Sequence, residues 1–122
     1  MRTSLERLKA LADGNRLRVV AALLEHEELC VCQLVEMLDV ATSTVSRHLS
    51  ILQKARLVIF RKEERWVHYR LDPSFPELIR RWLEEAVLTT AEIEADRRLL
   101  ADITTCERAE LCRKQKEHGT RR

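Results

Sequence analysis

Apolar residues recur at helical spacing from the start of the chain, where Leu5, Leu8, Leu11 and Ala12 predict a first amphipathic helix over about Thr3–Ala12. Asp13-Gly14-Asn15 interrupts it, and Asp13 or Asn15 suits the cap of a second helix that Leu17, Val20, Leu23 and Leu24 carry to about Glu25. After the acidic link His26-Glu27-Glu28, the inward positions Leu34, Met37 and Leu38 mark a short third helix, Val31–Asp39. Val40-Ala41-Thr42 makes a tight connection to a fourth, capped by Thr42 or Ser43 and reaching about Lys54.

The fourth helix separates into two faces. Val45, Leu49 and Leu52 form one stripe; Ser43, Arg47, Ser50 and Lys54 lie opposite, with Ser46 on the flank. From Leu57 the period shortens. Val58-Ile59-Phe60 and Trp66-Val67-His68-Tyr69 are rich in β-branched and aromatic residues, and the polar tip Lys62-Glu63-Glu64-Arg65 between them completes a two-stranded hairpin. Asp72-Pro73-Ser74-Phe75-Pro76 ends the second strand, and Pro76 fits the first turn of a long last helix. Ile79, Trp82, Leu83, Ala86, Thr90 and Ile93 keep one stripe along that helix, and Leu99, Leu100 and Ile103 continue on a shifted face. This is more apolar surface than a small core covers, so the first and last helices are expected to form a homodimer interface. A Cys-containing polar tail, 106–122, is set apart from a DNA-binding and dimerisation domain spanning 1–105.

Helix, tight turn, helix and hairpin describe a winged helix-turn-helix: mainly α, with a β-hairpin wing, dimerising through its first and last helices. Charge supports that use. The chain is +2 overall, but the stretch from Thr42 to Leu71 holds seven Lys and Arg against two acids, leaving the remainder net acidic. The fourth helix would enter the major groove of double-stranded DNA with Ser43, Ser46, Arg47 and Ser50, and Arg47 is the best base reader because its fork pairs bidentately with guanine. Arg61, Lys62 and Arg65 on the wing would hold phosphate without reading sequence. His48 stands near the inner flank of the fourth helix, suited to packing or a phosphate contact rather than to a metal.

Size and composition exclude other classes. A chain of 122 residues builds one modest core and no multi-step enzyme, and two glycines leave no room for a Rossmann fingerprint or a phosphate-binding loop. No apolar run approaches the ~20 residues of a membrane span, so a cytoplasmic, non-enzymatic protein without an organic cofactor is expected. Cys30 and Cys32 are too close to staple anything together and are better read as reduced ligands or sensors.

Three segments carry a resemblance: Leu11-Ala12-Asp13-Gly14-Asn15-Arg16-Leu17-Arg18, Glu28-Leu29-Cys30-Val31-Cys32-Gln33-Leu34, and Ser43-Thr44-Val45-Ser46-Arg47-His48-Leu49 ahead of Leu57-Val58. Together with Trp66-Val67-His68-Tyr69-Arg70-Leu71 they resemble the ArsR/SmtB family of metal-responsive winged-helix repressors over about residues 5–90. The resemblance implies a homodimer that sits on an operator and leaves it when an inducer binds, in the arsenic-responsive branch at operons for metalloid detoxification. It also makes Arg56 a departure, since the family usually has Gly before the wing; an ordinary negative φ, or a turn shifted by one residue, is expected there.

The cysteines then point to the inducer. Residues i and i+2 lie about 200° apart on an ideal helix, so Cys30 and Cys32 can share an ion only where the backbone is extended or irregular. They stand where the third helix should begin, and free N–H groups there favour an anionic sulfur. A thiophilic ion across the pair would hold the first turn in a non-helical shape and shift the third helix and, through it, the recognition helix. Thiolates favour soft ions over Mg, Ca or Mn, and As(III) or Sb(III) takes three sulfurs. Gln33 and Val35 depart from the arsenic pattern Cys-Val-Cys-Asp-Leu-Cys, so a third sulfur would come from Cys106 or Cys112, of either subunit. None of His26, His48, His68 and His118 lies on the last helix between Leu83 and Ile103, so the family's zinc site is absent; no Cys precedes Cys30, which places cadmium or lead behind the metalloids. A redox or persulfide sensor on the same DNA-binding fold is the alternative. A thiol oxidoreductase is disfavoured by Cys-X-Cys spacing, and a metal-buffering protein stays open, one that would bind metal but show no salt-sensitive affinity for duplex DNA.

Overall fold

The structure is a computed structural model that describes residues 1–103. Its elements run α1 (Arg2–Leu11), α2 (Gly14–Glu25), β1 (Leu29–Cys30), α3 (Val31–Leu38), α4 (Thr42–Lys54), β2 (Val58–Glu63), β3 (Trp66–Leu71), α5 (Glu77–Ala86) and α6 (Ala91–Ile103). Helices dominate, and the three strands form one antiparallel sheet in the order β1-β3-β2. This is the winged helix-turn-helix expected from the sequence, with an extra strand.

The core lies where the helical stripes converge. Val19, Val20, Leu34, Val45, Leu49, Leu52, Leu57 and Leu83 are fully enclosed, which fixes α4 by its apolar stripe and turns its polar face outward. Asp13 caps α2, its carboxylate accepting from the Arg16 N–H at 3.0 Å. Neither Thr42 nor Ser43 caps α4. The cap position is Ala41, without a side-chain bond, and Thr42 is already helical.

Arg56 differs from expectation. Its φ is +59°, in the left-handed region, and the turn is not shifted. The Arg56 N–H donates to the Gln53 carbonyl and the Leu57 N–H to the Leu52 carbonyl, both at 3.0 Å. These two bonds are the Schellman closure of a helix, with Leu52 and Leu57 buried against its end, and that closure requires a positive φ whatever residue stands there. The wing turn is tighter than the expected tip. Lys62 and Glu63 pair with Val67 and Trp66, leaving a two-residue loop in which Glu64 alone takes a positive φ, 56°.

The long last helix is two helices. The β-branched run at Val87, Thr89 and Thr90 favours a break, and the Thr90 hydroxyl donates to the Val87 carbonyl at 2.7 Å, competing with the helical ladder. Arg97, reaching back from α6, donates to the Leu88 carbonyl at 3.2 Å. The apolar stripe from Ile79 to Ile93 runs across this break unchanged, and the shift of face falls later, inside α6. A buried ion pair then holds α6 in place: Arg18 on α2 meets Asp96, 5% exposed, through two bonds of 2.7 and 2.8 Å. Arg18 also donates to Asn15 and to the Met37 carbonyl at the end of α3, so one guanidinium ties α2, α3 and α6.

Candidate nucleic-acid interface and thiol site

The outward face of α4 presents Ser43, Ser46 and Arg47 exposed and Ser50 half-buried beside them. Arg47 and Lys62 have no carboxylate partner among the described residues, which leaves both cations available to a polyanion. His48 turns the other way. Its Nδ1 lies 3.1 Å from the Arg16 guanidinium and 3.9 Å from the Asp13 carboxylate. A guanidinium only donates, so Nδ1 is the acceptor and the ring is bound to the start of α2. Arg16 also donates to the Ala10 carbonyl at 2.6 Å, joining α1, α2 and α4 beneath the recognition face.

The wing cations are unequal. Lys62 is exposed; the Arg65 guanidinium lies over the Trp66 ring, 5.1 Å from its centroid. Arg61 is already engaged. Its Nε and Nη2 meet the two oxygens of Glu28 at 2.8 and 2.7 Å, and Nη1 donates to Glu63. The Arg61 hydrogen bonds hold the Glu28 carboxyl below the usual glutamate range. Glu28 is also 3.7 Å from Nδ1 of the buried His68.

The thiol pair sits at the junction of β1 and α3. Cys30 is the last strand residue and the cap of α3, with extended backbone (φ −84°, ψ 160°); Cys32 lies in the first helical turn. Gln33 closes the junction, its Oε1 accepting from the Cys30 N–H at 2.9 Å. Cys30 is a buried free thiol, whereas half-buried Cys32 is disulfide-bonded. The irregular backbone that a shared ion demands is therefore present at Cys30 alone. No cluster of three or more His, Cys, Asp or Glu able to hold a metal occurs among the described residues, and of the two sulfurs here that of Cys30 is the free thiol. Cys106 and Cys112 lie outside the described residues.

Sequence reasoning missed β1. Leu29 and Cys30 pair with Tyr69 and His68 of the wing strand, so the thiol site is part of the wing sheet as well as the start of α3. Two residues are too short a run to show strand periodicity, and both are buried, so no alternation marks them.

Comparison with known proteins agrees with this arrangement. Residues 13–59 match the family described as bacterial regulatory protein, arsR family. The chain is 45% identical over 78 residues to the arsenical resistance operon repressor of Escherichia coli K12, covering 64% of this chain and 67% of that protein. It is 41% identical over 61 residues to the cadmium resistance transcriptional regulatory protein CadC of Listeria innocua, about half of each chain. Among solved structures, HlyU from Vibrio cholerae N16961 superposes with a TM-score of 0.63 at 31% identity, covering 70% of this chain and 92% of that one. A shared winged helix, a shared helix-turn-helix segment and extensive identity leave one assignment: the chain belongs to the arsR family of bacterial transcription regulators.

Proposed function

We propose that this protein is a repressor that occupies operator DNA as a homodimer and leaves it when As(III) or Sb(III) binds its cysteine thiolates. The observation that carries the reading is the place of Cys30, at the end of a strand paired to the wing and at the cap of the helix that leads into α4. Any ligand that moves this junction acts on both DNA-facing elements. The similarity to an arsenical resistance repressor supports the choice of ion. Cys30 and Cys32 would hold it in the reduced protein, with Cys106 or Cys112 as the third sulfur. Because Cys30 is extended and Cys32 helical, drawing both sulfurs onto one centre changes the first turn of α3. The ion supplies a covalent link between thiolates that are otherwise independent.

On the DNA side, Ser43, Ser46, Arg47 and Ser50 would meet base edges and phosphates, while Lys62 and Arg65 would hold the backbone beside the groove. His48 acts through Arg16 and Asp13 as a positioning residue. The dimer reading rests on Leu5 and Leu8 of α1, Leu78 and Trp82 of α5 and Leu99 of α6, all large, apolar and between 40% and 76% exposed. No helix among the described residues is long and apolar enough to cross a membrane.

A second reading is thiol oxidation, for which Cys30 and Cys32 are the candidate thiols on the same DNA-binding fold. The two readings are separated by selecting a duplex from a random library and titrating the bound, reduced protein with arsenite, with cadmium, and with oxidant alone. The metalloid reading expects release by arsenite that either Cys106→Ser or Cys112→Ser abolishes. Release by oxidant alone, accompanied by a disulfide in the non-reduced intact mass, selects the second reading. Release by cadmium and not by arsenite would align the protein with its CadC-like relative.

A further inference from the structure

The wing contains a cation that the protein itself neutralises. Across the sheet, Cys30 stands opposite His68, and His68 stands opposite Arg61, so these three residues occupy one rung and share one face. Glu28, two residues before Cys30, reaches the same face. Its carboxylate takes Arg61 in a bidentate grip and lies 3.7 Å from His68. Glu63 takes the remaining arm of the guanidinium. Two carboxylates occupy the donors of one guanidinium and cancel its charge, so Arg61 offers a phosphate neither free N–H groups nor net attraction. Glu28 is the more buried of the two, with 24% of its side chain exposed against 53% for Glu63, so its grip is the less screened by water. Glu28 and Arg61 border an open cleft with His26, Glu27 and Arg70, so the Glu28 side chain faces space outside the core.

We propose that Glu28 is a latch that withholds Arg61 from DNA phosphate, and thereby sets the affinity of the wing for the duplex backbone. The inference rests on the DNA-binding reading above and deepens it: the latch is a residue of the same short segment as Cys30. Arg61 in this account is a reserve contact. It becomes a phosphate ligand only when the carboxylate lets go, whereas Lys62 and Arg65 are available throughout.

Counterion release supplies the test, because each phosphate neutralised by a cation steepens the slope of log affinity against log salt by about 0.9. A labelled duplex of mixed sequence would be titrated with full-length wild type, Glu28→Gln, and Glu28→Gln combined with Arg61→Gln. Glu28→Gln keeps the shape of the side chain and removes the charge. It is expected to bind severalfold more tightly at low salt, with a slope steeper by about 0.9 per chain. The double variant is expected to return to the wild-type slope. Arg61→Lys, which keeps the charge but cannot make the bidentate grip, should also steepen the slope and serves if Glu28→Gln does not fold. An unchanged slope in a folded Glu28→Gln, or a steeper slope that survives loss of Arg61, overturns the latch while leaving DNA binding intact. No binding of any duplex by the wild type would overturn the DNA-binding reading and the latch with it.

Discussion

The recognition helix and the thiol junction are built in opposite ways. In α4 the functional face is the complement of a packing stripe: Val45, Leu49 and Leu52 are completely enclosed, and Ser43, Ser46 and Arg47 point outward because of it. Everything needed to place those side chains lies within one helix. At the thiol junction, Cys30 owes its position to β3, nearly forty residues further along, and to the Gln33 side chain that closes the cap. A local face is well suited to reading DNA, which needs a rigid surface. A junction of distant segments is better suited to sensing, since a change at one point moves several elements at once.

Substitutions can break this contrast, and the largest effect is expected where the distant segments are clamped. Arg18→Met leaves Asp96 buried without its cation, at a cost of about 3 kcal/mol, the low end for a broken buried pair because 27% of the Arg18 side chain is exposed. Urea unfolding of the full chain measures it, and an unchanged midpoint would mean that α6 is held by packing alone. Next comes Arg47→Ala, which should leave the unfolding midpoint within about 0.5 kcal/mol of wild type. It should nevertheless weaken binding to the selected duplex by roughly 1–3 kcal/mol, the value of one bidentate base contact. Equal losses of stability and affinity would show that the two faces of α4 are not separable. The smallest effect is at Arg56, where a positive φ is forced on a residue with a Cβ. Arg56→Gly should stabilise the fold by about 0.5–1 kcal/mol, read as a raised melting temperature, the left-handed conformation being nearly free for glycine. A lowered melting temperature would mean that the Arg56 side chain contributes more than its backbone costs.

The same contrast explains what was legible from residue order. The four N-terminal helices, the hairpin and the two faces of α4 follow from periods of 3.6 and 2, which are local. A polar cap at Asp13 or Asn15 was readable from the interruption before a helical stripe, and the fold uses Asp13. The break before α6 was not visible, because the apolar stripe continues across it through Thr90 and Ile93, and the Thr90 hydroxyl bonded to the Val87 carbonyl is a side-chain choice that periodicity does not record. β1, the Glu28–Arg61 pair and the Arg18–Asp96 clamp join residues between 33 and 78 positions apart or depend on a two-residue strand. Arg61 teaches the point most clearly. Composition counted it among the basic residues of the wing, and only the fold places two carboxylates on it.

The claim that the junction at Cys30 controls the DNA-facing elements is tested most directly by one comparison. Reduced wild type and Cys30→Ser would each be bound to the selected duplex and titrated with arsenite, with fluorescence anisotropy of the DNA as the readout. The account predicts equal binding before arsenite and release of the wild type alone. A Cys30→Ser protein that folds but no longer binds the duplex, or one that arsenite still releases, would contradict it.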